Sequence, residues 1–181
     1  MARRVVLIDR DGTVNVEKHY LSHPADVELL PGVAEGLRLL QASSFGLVIV
    51  TNQAAIGRGY FDLATLSDIH CRLQRLLADE GVKLDGIYFC PHHPDDNCDC
   101  RKPKPGLARN AARDLGFDLK EAFVIGDKDV DIGLAYAAGC RSVLVRTGYG
   151  KQHERTSTFK PDFVVDDFLQ AAGLICGDLL E

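Results

Sequence analysis

The sequence predicts an α/β fold: a Rossmann-like, doubly wound, mainly parallel sheet with helices on both faces. Short apolar, β-rich runs alternate with stretches of helical periodicity along the chain, the pattern of a parallel sheet covered on both sides. Glycine and proline punctuate that alternation where helices would start and stop. With 181 residues, 46% of them hydrophobic and 26% charged, the chain can bury one full core, so a single domain over residues 1–181 is expected.

Taken in order, the first strand is expected near residues 4–9, around Val5-Val6-Leu7-Ile8. Pro31 and Gly32 open a helix in which Val33, Leu37 and Leu40 share a face. The second strand, near 46–51, contains Leu47-Val48-Ile49-Val50. Asp62 is a good N-cap for the clearest helix, whose Leu63, Leu66, Ile69, Leu73, Leu76 and Leu77 recur at three- and four-residue steps until Gly81. That stripe is core. Further strands are expected near 85–90, 122–126, 142–146 and 162–165, and Gly116 and Gly139 stop two later helices.

A formal net charge of −5 argues against general affinity for nucleic acid or anionic membranes, so any phosphate recognition is local. Met1-Ala2-Arg3-Arg4-Val5 runs into the first strand without a signal-type apolar stretch, and no apolar run approaches membrane-spanning length. The expected address is the cytoplasm, and the expected state a monomer.

Three chemically suggestive segments follow three different strands: Asp9-Arg10-Asp11-Gly12-Thr13, Thr51-Asn52-Gln53, and Gly126-Asp127-Lys128-Asp129-Val130-Asp131. Ligands of open α/β sheets bind beyond the carboxyl ends of the strands, so these segments are expected to converge on one crevice. A single acidic turn is ordinary turn chemistry; three together are not. Carboxylates from separate loops with a hydroxyl and lysines point to phosphoryl chemistry around magnesium, a hard cation that takes oxygen ligands, with Asp9 and Asp127 as its protein carboxylates. Neither a Gly-x-x-x-x-Gly-Lys-Ser/Thr loop nor an EF-hand spacing is present.

The segment from Cys90 to Pro103 carries three cysteines and two histidines. In a cytoplasmic chain this density reads as zinc rather than disulfides, with Cys90, His92, Cys98 and Cys100 as ligands and His93 as the alternative imidazole. Four protein ligands close the coordination shell, so the metal would fix a loop (residues 90–105) and aim Arg101 and Lys102 at the crevice. Lys104 competes with Lys102 as the phosphate lysine. Cys71, Cys140 and Cys176 read as packing residues, and His70 as a helix residue. His153 has no evident partner, Asp129 reads as a solvated helix-start charge, and Asp131 as a support for magnesium-bound waters.

Together these motifs resemble those of the haloacid dehalogenase superfamily of phosphatases, over Val5 to Asp131. The resemblance implies that Asp9 attacks phosphorus to form an aspartyl-phosphate, and that Asp11 protonates the leaving alcohol and then activates water. It further implies that Thr51 and Lys102 hold the transferring phosphoryl oxygens, and that Asp9, Asp127 and the Asp11 backbone carbonyl bind magnesium. Neither intermotif gap is long enough for a cap domain, so Glu17 to His23, Gln53 to Phe61 and the cysteine loop are expected to wall the substrate. Within the superfamily, Gly57-Arg58-Gly59-Tyr60-Phe61, Cys90-Pro91-His92-His93-Pro94 and Cys100-Arg101-Lys102-Pro103 are most similar to the heptose 1,7-bisphosphate 7-phosphatase family. That likeness implies substrate contacts from Glu17, Lys18, His19 and Tyr20, from Thr51, Asn52, Gln53 and Ala54, and from Arg101, Lys102 and Lys128. The short interval between His93 and Cys98 is instead similar to the histidinol-phosphate phosphatases, the alternative within the superfamily. Outside it, a phosphoacceptor receiver domain also uses an Asp, a Thr and a Lys at strand ends, but needs neither Asp11 nor a zinc loop; a metal-stabilised binding module is the other alternative.

Overall fold

The computed structural model describes residues 4–177. Six strands, β1 (Val5–Ile8), β2 (Gly46–Asn52), β3 (Gly86–Cys90), β4 (Phe123–Gly126), β5 (Arg141–Val145) and β6 (Phe163–Val165), form one parallel sheet in the order β3-β2-β1-β4-β5-β6. The helices are α1 (Val33–Ala42), α2 (Ala54–Gly57), α3 (Leu63–Asp79), α4 (Gly106–Leu115), α5 (Asp129–Ala138), α6 (Gly150–Thr156) and α7 (Phe168–Gly177). Each strand lies within one residue of its expected position.

Side chains two apart on a strand face the same side, and this sorts the core into two layers. Val6, Ile8, Leu47, Ile49 and Ile125 pack with α1, α3 and α7. Val5, Leu7, Val48, Val50 and Val124 pack with α4 and α5 on the other face. In α3, the Asp62 carboxylate accepts from Thr65 N at 2.8 Å, and Leu66, Ile69, Leu73 and Leu77 are buried. Leu63, read as part of this stripe, is 55% exposed because it stands in the first turn, ahead of the core-facing residues. Cys71 is likewise exposed instead of packed, whereas Cys140 is a core residue whose thiol burial pushes up to about 12.

The strand order decides where chemistry can occur. From β1 the chain winds outward to β2 and β3, then returns to β4 beside β1 and winds the other way. Helices leave β1 and β4 on opposite sides, opening a crevice beyond their carboxyl ends at this switch point. Asp9 and Asp127 follow those two strands directly.

Candidate active site

Beyond β1 the backbone keeps its sheet register for one residue, with Asp9 N donating to Ile125 O at 2.9 Å. It then turns tightly, so that the N–H groups of Val14 and Asn15 point at the Arg10 carbonyl, 2.8 and 3.0 Å away. The turn sends the two carboxylates into different surroundings.

Asp9 Oδ1 accepts from Lys102 Nζ at 2.7 Å. The same ammonium donates to Asp131 Oδ1 at 2.6 Å and to Val50 O at 2.8 Å, which uses all three of its protons. Burial would depress the Lys102 pKa, but the carboxylates of Asp131 and Asp9 more than offset this and hold it above its ordinary value. Asn52 fixes the lysine's backbone, donating to Lys102 O at 3.1 Å and accepting from Lys102 N at 3.0 Å.

Asp11 faces Arg10, whose Nη2 approaches to 2.7 Å, with Asn15 Nδ2 at 2.9 Å and Gln53 Nε2 at 3.0 Å. Burial pushes its pKa up, yet the Arg10 charge and these donors bring it below the usual carboxylate value. Gln53 Nε2 also donates to Thr51 Oγ1 at 2.9 Å, tying the buried hydroxyl at the end of β2 to the same network.

Asp127 is fully buried; its Oδ2 accepts from Tyr149 N at 2.8 Å, and among the described residues its Oδ1 has no hydrogen-bond partner, the Lys128 ammonium standing 3.9 Å away. Burial first, then the Asp9 charge, push its pKa up to about 8, and the same causes raise Asp131 to about 6. Carboxylate oxygens of Asp9, Asp127 and Asp131 lie within 4.8 Å of one another. The ammonium groups of Lys102 and Lys128, the latter shared with Glu17, do not balance three clustered carboxylates, and an oxygen-only donor set of this kind fits magnesium. When bound there, magnesium supplies charge neutralisation for a phosphoryl group and its attacking carboxylate. Asp131, expected to support magnesium-bound waters, belongs to this cluster because α5 starts directly after β4, where its Oδ2 accepts from Lys128 N at 3.0 Å. Asp129 is not a solvated charge: it accepts from Ser157 Oγ and from the N–H groups of Thr158 and Phe159.

Two glycines make room for Asp127. A Cβ on Gly12 (φ +87°) or on Gly148 (φ +51°) would overlap its Oδ2. Gly12→Ala is expected to cost at least about 1–2 kcal/mol through the left-handed backbone alone. By displacing Asp127 it should also weaken magnesium binding about tenfold, measured by titration calorimetry; an unchanged magnesium affinity would contradict this packing argument.

In the cysteine loop, Cys98 Sγ lies 3.5 Å from both Cys90 Sγ and Cys100 Sγ, and His92 Nδ1 lies 3.2 Å from Cys100 Sγ and 3.6 Å from Cys90 Sγ. Tetrahedral ligands about 2.1–2.3 Å from one zinc ion are roughly 3.6–3.8 Å apart. Burial and the neighbouring sulfurs push the Cys100 thiol up to about 12, and burial raises Cys90, while at Cys98 burial is outweighed by hydrogen bonds from its neighbours, which lower it to about 7; a bound cation would let all three ionise together. Geometry and chemistry of the donor set therefore fit zinc, which when bound would cross-link the loop. His93 faces elsewhere, its Nδ1 accepting from Asp95 N at 3.2 Å. Lys104 donates to Asn97 O and Cys98 O and fastens this loop, leaving Lys102 as the lysine beside Asp9. A Cβ on Gly57 would collide with the His93 backbone, so α2 and the cysteine loop touch main chain to main chain.

These elements enclose a cavity of about 310 Å³. Its walls are Glu17, His19, Tyr20 and Leu21 from the first loop, Gln53, Ala54, Ala55, Arg58 and Phe61 around α2, and Pro94, Arg101 and Lys102 from the cysteine loop. Those are the three segments the sequence assigns to the substrate wall. Lys128 also lines it, donating to Glu17 Oε2 at 2.8 Å. Lys18 does not; its ammonium lies 3.6 Å from Glu28 because its neighbours Glu17 and His19 alternate with it toward the cavity. Sequence reasoning gave no role to Arg10 or to the Thr147–Tyr149 segment, which closes on the Gly12 carbonyl and Asp127, and it placed Arg58 in the substrate wall only as part of the Gln53 to Phe61 segment. Arg10 stood between two more conspicuous aspartates, and Thr147–Tyr149 carries no motif.

Residues 99–171 match the HAD-hydrolase-like family model. The chain is 40% identical over 151 residues to the D-glycero-β-D-manno-heptose-1,7-bisphosphate 7-phosphatase of Pseudomonas aeruginosa, covering 83% of this chain and 85% of that one. It is 42% identical over 158 residues to the enzyme of that name from Escherichia coli, covering 82% and 83%. The crystal structure of the D,D-heptose 1,7-bisphosphate phosphatase from B. bronchiseptica, complexed with magnesium and phosphate, superimposes with a TM-score of 0.92 at 36% identity over 97% of this chain and 99% of that one. The corresponding enzyme of Burkholderia thailandensis gives 0.75 at 30% identity over 99% of both. The receiver-domain and binding-module alternatives fall with these matches. A parallel sheet whose switch point gathers Asp9, Thr51, Lys102 and Asp127, and relatives matched over most of their length, make this chain a phosphatase belonging to the haloacid dehalogenase-like family of the heptose bisphosphate 7-phosphatases.

Proposed function

We propose that the protein, residues 1–181 acting as one cytoplasmic, monomeric domain, removes the 7-phosphate of D-glycero-D-manno-heptose 1,7-bisphosphate and leaves the 1-phosphate. The observation that carries the substrate class is the charge inventory of the cavity. Of its cations, Arg10 is neutralised by Asp11, Lys102 by Asp9 and Asp131, and Lys128 by Glu17. Arg58 and Arg101 line the same cavity without an ion pair among the described residues, and Arg101 Nη1 is buried with no hydrogen-bond partner. A substrate with a second phosphate supplies the anion these two arginines lack.

In this reading an Asp9 oxygen attacks phosphorus and the bond from phosphorus to the sugar oxygen breaks; Asp11, which despite its burial the Arg10 charge holds as a carboxylate in the free protein, takes up a proton when the anionic phosphate binds beside it and gives that proton to the leaving oxygen. Asp11, now a carboxylate, takes a proton from water, which attacks the aspartyl-phosphate, frees phosphate and restores Asp9. Thr51 holds a phosphoryl oxygen, and Lys102 turns one of the protons it gives to Asp9, Asp131 or Val50 O toward another. Asp9, Asp127 and the Asp11 carbonyl, joined by Asp131, are the oxygen donors for magnesium; Cys90, His92, Cys98 and Cys100 are those for zinc. Support for separate roles at Asp9 and Asp11 comes from their separate partners, an ammonium for one and a guanidinium with two amides for the other.

Phosphorus NMR of the products with both anomers of the bisphosphate and with histidinol phosphate tests the reading. Loss of the 7-phosphate resonance with retention of the 1-phosphate is expected, and faster turnover of histidinol phosphate overturns it. Arg58→Ala should raise KM for the bisphosphate about tenfold while leaving kcat/KM for the heptose 7-monophosphate nearly unchanged. Equal losses on both substrates would remove Arg58 from recognition of the second phosphate.

A further inference from the structure

We propose that His70, on α3 and outside the cavity, is a positioning residue for proton transfer at Asp11, acting through Arg10. The inference rests on the role given to Asp11 above. Arg10 is 1% exposed, and every nitrogen of its guanidinium is committed. Nε lies 3.1 Å from both Asp11 oxygens, Nη2 donates to Asp11 Oδ2 at 2.7 Å and to Gln53 Oε1 at 3.1 Å, and Nη1 stands 3.2 Å from His70 Nε2. A guanidinium has donors only, so His70 Nε2 must present its lone pair and the ring is the neutral Nδ1–H tautomer. Burial, then the Arg10 charge, lower the His70 pKa to about 4, which keeps the ring in that form at neutral pH.

The geometry follows from a planar group held at three corners. Asp11 and Gln53 grip one edge of Arg10, but these contacts leave the plane free to rock about that edge. His70 fastens the remaining corner, and Phe89, edge-on with ring centroids 5.6 Å apart, holds the imidazole in turn. The fixed plane then sets the direction of the Asp11 carboxylate. His70 is the buried polar interruption of an otherwise apolar helix face between Ile69 and Leu73. Core packing alone would have been served better by another leucine.

The test uses the leaving group. An alkyl phosphate releases an alkoxide that needs the Asp11 proton, whereas p-nitrophenyl phosphate releases a stable phenolate that does not. His70→Leu in the magnesium-loaded enzyme is expected to lower kcat/KM for heptose bisphosphate at least about tenfold, and that for p-nitrophenyl phosphate less than about twofold. His70→Gln, whose amide oxygen can occupy the place of Nε2, should recover most of the loss. His70→Asn, too short to reach Arg10, should behave as His70→Leu does and replaces it if that variant does not fold. Equal losses on both substrates, no loss, or a Gln variant as poor as Leu each overturn the proposal. Asp11→Asn measured alongside separates the two levels: if it spares alkyl turnover, the role of Asp11 falls and this inference with it. If it shows the leaving-group-dependent loss and His70→Leu does not, only the inference about His70 falls.

Discussion

Asp9→Asn is expected to reduce phosphate release by about 10⁴-fold or more, the scale seen when a covalent nucleophile is removed. The fold should survive, because the amide oxygen of the substituted side chain can still accept from Lys102, and Asp131 and Val50 O continue to receive the other two protons of that ammonium. What disappears is the anionic oxygen proposed to attack phosphorus and one of the three clustered carboxylates that fit magnesium. Acid quenching of wild-type protein during turnover should trap an acid-stable, hydroxylamine-sensitive acylphosphate, absent from Asp9→Asn. A variant that turns over near the wild-type rate would end the covalent scheme for this chain.

Cys98→Ser is expected to have the largest effect on stability. Cys90 anchors its sulfur at the buried end of β3, while Cys98 and Cys100 bring the far side of the loop to it. Serine offers no thiolate, so the cross-link proposed for zinc would open. A loss of about 3 kcal/mol corresponds to a fall in Tm of roughly 6–12 °C for a domain of this size. Zinc content measured by elemental analysis should drop from about one per chain. Activity should fall about 10–100-fold as well, because Arg101 and Lys102 follow Cys100 directly and the loop also abuts α2 at Gly57. Unchanged metal content and Tm would remove zinc from the account.

Much of this architecture could be read from local signals. Strand positions came from apolar runs bounded by glycine and acidic turns, and helix limits from Asp62, Gly116 and Gly139, because dihedral preference and capping act over a few residues. The failures are instructive for the same reason. Leu63 satisfies the helical period yet stands exposed, since periodicity does not say where along its length a helix meets the sheet. Lys18 sits within a stretch whose neighbours line the cavity, and its own side chain turns to Glu28.

Residue types in sequence were sufficient to identify a doubly wound sheet, the segments that converge at its switch point and the thiolate and imidazole set of the loop. Only the tertiary structure separated His92 from His93, gave Lys102 rather than Lys104 to Asp9, drew Asp131 into the carboxylate cluster and enclosed Arg10 between Asp11 and His70. The physical reason is range. Backbone propensity and hydrophobic period are written in neighbouring residues, whereas charge pairing and desolvation depend on distances across strands that are far apart in the chain: Asp9 and Lys102 are separated by 93 residues and 2.7 Å.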